Sequence, residues 1–82
     1  MFRILTEEKN VKQVKATLTG LGLDFTLYRA RGSWRGQEER SLAIELDNVT
    51  RKRAEDAAKL IKVMNNQEAV LLQEIPVGSQ LL

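Results

Sequence analysis

The hydrophobic period of this chain alternates between extended and helical in an order that few folds accept. Phe2 to Thr6 is a short, largely apolar run and predicts a first strand. Asn10 stands where a helix N-cap belongs, and Gln13, three residues on, completes a capping-box-like pair. Val11, Val14, Leu18 and Leu21 recur at helical spacing while Lys12, Gln13, Lys15 and Thr19 stay polar, so a helix is expected over Val11–Leu21. Gly20 and Gly22 supply its left-handed stop. From Asp24 the period falls to two, with Phe25, Leu27 and Arg29 on one side and Thr26, Tyr28 and Ala30 on the other. Residues Arg31 to Arg40 hold two glycines and no apolar period, and read as a connection. Ser41 to Leu46 alternates again, so the two strands and their connection form a hairpin.

Asp47-Asn-Val-Thr50 then offers capping residues ahead of a second helix. Ala54, Ala57, Ala58, Ile61 and Met64 line one side of it, and Glu55 and Lys59 are spaced as an i,i+4 pair on the other. Asn65-Asn66 is the expected C-cap. Ala69 to Leu72 begins a fourth strand that runs toward Ile75, with Pro76 at its end. The order is β-α-β-β-α-β, the split βαβ or ferredoxin-like pattern of the α+β class. It predicts one four-stranded antiparallel sheet with both helices on one face. Residues 1–82 are one such domain, with 76–82 as a C-terminal tail.

Composition narrows the chemistry. With no Cys and no His among 82 residues, thiol nucleophiles, imidazole bases and the commonest metal ligands are excluded. No metal and no cofactor are therefore expected. Thirteen basic residues against eleven acidic ones leave a net charge of +2, too balanced for a chain held on nucleic acid by bulk charge. No apolar run approaches the roughly 20 residues that span a bilayer. The start, Met-Phe-Arg-Ile-Leu-Thr-Glu-Glu-Lys, lacks the pattern of a signal peptide. The chain reads as cytoplasmic, in a bacterium or in something that infects one, with no membrane partner.

A fold this small buries only about 60% of its unfolded surface, and association is an economical source of further stability. Strands one and four are apolar on both faces, at Ile4-Leu5 and Ala69-Val-Leu-Leu72, and the tail ends in Leu81-Leu82. Two-sided apolarity is common in short strands; the reading preferred here is a homo-oligomer, a dimer or trimer, packed through the open face or the tail.

Any recognition chemistry is concentrated between Tyr28 and Ser41. Four arginines (Arg29, Arg31, Arg35 and Arg40), the single Trp and the single Tyr of the chain lie in that segment. Guanidinium groups suit anionic oxygens because they donate in a planar fork. Gly32 and Gly36 let a backbone approach a ligand or take positive φ, and Trp34 offers a flat face for a base. The competing reading is that the arginines are solvated and paired with Glu38 and Glu39, and that Trp34 is a core lid or an interface anchor. Gly32-Ser-Trp-Arg-Gly36 is not a phosphate-binding loop, since no Gly-Lys-Ser/Thr leads into a helix.

Phe25-Thr, Arg31-Gly-Ser-Trp-Arg-Gly, Glu39-Arg-Ser41, Ala43-Ile-Glu45 and Asn66-Gln-Glu-Ala-Val70 together resemble a family of small phage and bacterial proteins. Those proteins share a Gly-x-Trp/Tyr-Lys/Arg-Gly hairpin and a Glu-x-Ser strand start. The resemblance implies a phage or bacterial origin, marks the hairpin as the defining feature and carries no activity with it. The element order is also similar to that of PII-like signalling proteins, trimers that bind nucleotides between subunits, whose signature motifs are not visible here.

Three functions follow as expectations. The first is a non-enzymatic homo-oligomer that binds a small anionic ligand, such as a nucleotide, through Arg29, Arg31, Gly32, Trp34, Arg35, Gly36 and Arg40. The second is a protein–protein adaptor or inhibitor that uses Trp34 and the arginines as anchors. The third is an RNA- or DNA-binding module on the sheet. Ser-Leu-Ala-Ile-Glu-Leu in the third strand lacks the stacking aromatics that the last of these needs. No nucleophile is paired with a base at recognisable spacing, so catalysis is not expected.

Overall fold

The computed structural model describes residues 1–76. Its elements are β1 (Phe2–Glu7), α1 (Val11–Gly20), β2 (Phe25–Trp34), β3 (Gln37–Leu46), α2 (Arg51–Met64) and β4 (Leu71–Glu74). The four strands form one antiparallel sheet in the order β2-β3-β1-β4. The class is α+β, and the element order is the one expected from the periods.

Alternation decides which face of the sheet is covered. Phe2, Ile4, Ile44 and Leu46 point to one side and join Val14 and Leu18 of α1 and Ala54, Ala57 and Ile61 of α2 in a single core. Alanines on α2 let the helix sit close to the sheet, and Ile61 fills the remaining gap. Residues 77–82, with the expected Leu81-Leu82 contact, lie outside the described residues. Among the described residues, no helix is long and apolar enough to cross a membrane.

The helix ends show how composition and context divide the work. Thr50 caps α2 as expected, its side chain accepting from the Arg53 amide at 3.2 Å. Asn66 takes a positive φ just past that helix and ends it. Asn10 departs from expectation. It precedes α1 in the left-handed region and makes no side-chain cap. Its amide donates instead to Asn65 Oδ1 at 3.0 Å, tying the start of α1 to the end of α2. Asn65 in turn donates to Gln67 Oε1 at 3.2 Å, and Gln67 bonds Thr6 at the end of β1. A buried polar group must find a partner, and this long-range set satisfies Thr6 and Asn65 better than a local cap does. At its other end α1 is stopped by Gly22 at φ 72°. Among the described residues the i,i+4 ion pair of α2 is Lys52–Asp56 at 2.8 Å, and the expected Glu55–Lys59 pair does not form. Arg53, on the exposed side of the helix, donates to the Leu21 carbonyl at 2.5 Å.

The expected connection over Arg31 to Arg40 is largely strand. β2 and β3 pair without a break from Phe25↔Leu46 to Trp34↔Gln37, and only Arg35 and Gly36 turn. Both have positive φ, 52° and 78°, the type I′ geometry that matches the twist of a two-residue hairpin. β1 pairs with β3 no further than Glu7↔Ser41, so residues 31–40 project past the sheet as a two-stranded arm. The described side chains of the arm are all exposed, so no buried face imposes an apolar period on it.

The opposite face of the sheet carries no helix. Three rows cross it. Gln73, Arg3, Glu45 and Thr26 form one row, Leu71, Leu5, Ala43 and Tyr28 the next, and Glu7, Ser41 and Ala30 the third. Arg3 donates to Glu45 through Nη2 at 2.8 Å, and the Tyr28 hydroxyl donates to the same carboxylate oxygen at 3.1 Å.

Candidate functional site

Strand parity sorts the arm's side chains before any contact is considered. Arg29, Arg31 and Ser33 of β2 and Glu38 and Arg40 of β3 share the side on which the helices lie. Arg31 and Arg40 are direct cross-strand partners, and Arg29 is two residues from Arg31 along the same edge. Three of the seven predicted site residues therefore meet on one small surface.

The surface is recessed where the arm leaves the sheet. Arg29 and Arg40 line a cleft with Glu7, Glu8, Val11, Glu39 and Ser41, at the point where β1 ends and α1 begins, so three carboxylates share it with the two cations. Arg31 joins Arg29, Arg40 and Glu8 in a second cleft beside it. Two carboxylates organise the cations. Arg29 Nε sits 2.7 Å from Glu8 Oε1, and Arg31 Nη1 sits 3.3 Å from Glu38 Oε1. Both arginines remain open to solvent, at 76% and 70% exposure of their side chains, so these pairs orient more than they stabilise. The expected pairing of Glu38 with an arginine is present. Arg40 makes no ion pair among the described residues.

The other predicted residues stand elsewhere. Gly32 continues β2 opposite Glu39, in a conformation that needs no glycine, and a Cβ there would meet nothing. Arg35 and Gly36 are the turn at the tip, and Gly36 earns its identity from its φ of 78°. Trp34 closes β2 in register with Gln37, and its side chain lies outside what the structure describes.

Glu8 is the residue that sequence reasoning missed. It lies in the turn after β1, and it reaches Arg29 because β1 is the inner neighbour of β3. A carboxylate just past a predicted strand is a weak signal without the strand order.

The helix-free face offers different chemistry. Its central strands present Arg3, Leu5, Ala43 and Glu45, with no aromatic side chain on which a base would stack. Tyr28 on β2 is the aromatic of the apolar row, and its hydroxyl is engaged by Glu45. The hydrogen bond from Arg3, and after it that from Tyr28, holds the Glu45 carboxyl below its ordinary range, and the same carboxylate raises Arg3. This face is an ion pair beside an apolar stripe, a poor platform for phosphates. Among the described residues no group of three or more acidic side chains is placed to hold a metal ion.

What the arrangement offers is three guanidinium groups on one edge, with an arginine-rich small cleft beside a larger one in which carboxylates outnumber the cations. Models of protein families show no match to the chain, and no curated protein matches it significantly.

Proposed function

We propose that the protein is a non-enzymatic, homo-oligomeric binding module, and that the arginine side of the β2–β3 arm receives a small phosphorylated ligand such as a nucleotide. The observation that carries this reading is the direct opposition of Arg31 and Arg40, with Arg29 beside them, around one pair of clefts. Like charges placed opposite each other on a sheet cost stability, and a bound anion turns that cost into attraction. Glu8 lies 2.7 Å from Arg29 Nε, and in this reading the terminal nitrogens of the fork take the ligand. Arg35 and Gly36 lie beyond these arginines, in the turn at the tip. Strand order β4-β1-β3-β2 supports the ferredoxin-like assignment, in which the arm is a lengthened β2–β3 hairpin.

Calorimetry with inorganic phosphate and with nucleoside mono-, di- and triphosphates tests the reading. Binding by the wild type is expected to weaken by about 1.5–3 kcal/mol for each charged hydrogen bond lost in Arg31→Ala or Arg40→Ala. Melts of the variants should stay close to the wild type, since the arm adds little to the core. Absence of binding by every member of the panel, or binding indifferent to both substitutions, overturns the assignment.

A further inference from the structure

We infer that the helix-free face of the sheet is a self-association surface, which pairs two copies of this chain about a two-fold axis running along the strands. The inference rests on the homo-oligomeric part of the reading above and gives it a surface.

Each row of that face runs β4-β1-β3-β2, and a two-fold axis between β1 and β3 reverses it. Reversal places Arg3 of one copy over Glu45 of the other, and Glu45 over Arg3. In the next row it places Leu5 over Ala43 and Leu71 over Tyr28, a large side chain against a small one and an exposed aliphatic against an exposed aromatic. In the third row Glu7 meets Ser41, an acceptor against a donor. The centre of each row is complementary to its own reverse: by charge in the first, by volume in the second and by hydrogen bonding in the third. A face meant only for water has no reason to be.

Exposure agrees with the pairing. Leu71 is 52% exposed and Tyr28 40%, and they stand at the two ends of the apolar row, where a lone domain cannot cover them. Two sheets packed face to face lie about 10 Å apart with strands nearly aligned, which such side chains span. Four strands by five residues make roughly 350 Å² of flat face per copy. That is well under the roughly 800 Å² per side of a standard interface, so the dimer should dissociate on dilution. Arg29, Arg31 and Arg40 lie on the other side of the arm, and both arms leave the same end of the dimer with their clefts open.

Sedimentation equilibrium of the full chain from about 10 μM to about 1 mM tests this. The expected mass climbs from one chain to two, and Leu71→Asp raises the midpoint concentration at least about tenfold while the far-ultraviolet spectrum is unchanged. Val63→Asp, on the exposed side of α2, should leave the midpoint in place. Arg3→Glu should also weaken the dimer, and the exchange Arg3→Glu with Glu45→Arg should restore it. A wild type that stays monomeric throughout overturns both the surface and the homo-oligomeric reading. A trimer, or a dimer indifferent to Leu71→Asp and to the charge exchange, overturns the surface alone. So does a chain ending at Pro76 that loses association while Leu71→Asp keeps it, which would assign the contact to the tail. Phosphate or nucleotide binding should be the same in Leu71→Asp and wild type, which separates failure of this surface from failure of the arm.

Discussion

Arg31 and Arg40 face each other across the β2–β3 arm as direct antiparallel partners, two cations at a position where opposite charges are the stabilising choice. Arg31 has Glu38 at 3.3 Å to temper the repulsion, and both arginines line one cleft with Arg29 and Glu8. Arg40→Thr removes the repulsion and adds a β-branched residue to an exposed strand. It should raise stability by about 0.2–1 kcal/mol in urea melts while weakening phosphate-ligand binding. A variant both less stable and no weaker in binding would remove the reason for thinking the pair is kept for function.

Ile61→Ala should cost about 2–5 kcal/mol in denaturant melts, because Ile61 is fully buried between α2 and the sheet and the alanines around it cannot close the gap. Arg53→Ala, one turn from the start of the same helix, should cost about 0.5–1.5 kcal/mol through loss of its bond to the Leu21 carbonyl. Equal losses in the two variants would mean that the face of α2 is wrongly assigned.

Gly36→Val places a β-branched side chain at φ 78° in the turn, at a cost of about 1–2 kcal/mol. The arm is peripheral, so the penalty should appear locally. Amide hydrogen exchange over residues 31–40 should accelerate, with the global melting temperature hardly moved. A large fall in melting temperature would show that the arm folds as one unit with the core.

The Glu45 carboxyl is held below its ordinary range by Arg3 and Tyr28. A lowered folded-state value stabilises the fold above the ordinary glutamate range, and that contribution disappears as pH falls through the folded value. The stability gap between wild type and Glu45→Gln should be flat near neutrality and close progressively below about pH 4.3. Paired urea titrations across the acid range measure it. A gap that widened on acidification would contradict the assignment.

Short-range physics made most of the secondary structure legible in the residues. Period two in Phe25 to Ala30 and Ser41 to Leu46, helical spacing in Val14 and Leu18, and the Ala54-Ala57-Ala58-Ile61 face all need only burial on one side to declare themselves. Thr50 and Gly22 act within one turn of backbone, so their roles are visible without a fold. The arm is different. Residues 31–34 and 37–40 are strand because β2 continues pairing with β3 beyond the core, and the exposed side chains described there leave no pattern of apolar residues. Asn10 looked like a local cap and became a long-range donor, because Asn65 offered a buried acceptor that only the packing of α1 beside α2 creates. Arg29 meets Glu8 through strand order, with the whole of α1 between them in sequence, and Arg31 meets Arg40 through the register that the two-residue turn sets. The chain's local chemistry sets which pieces form; the pairing of distant strands sets which charges meet.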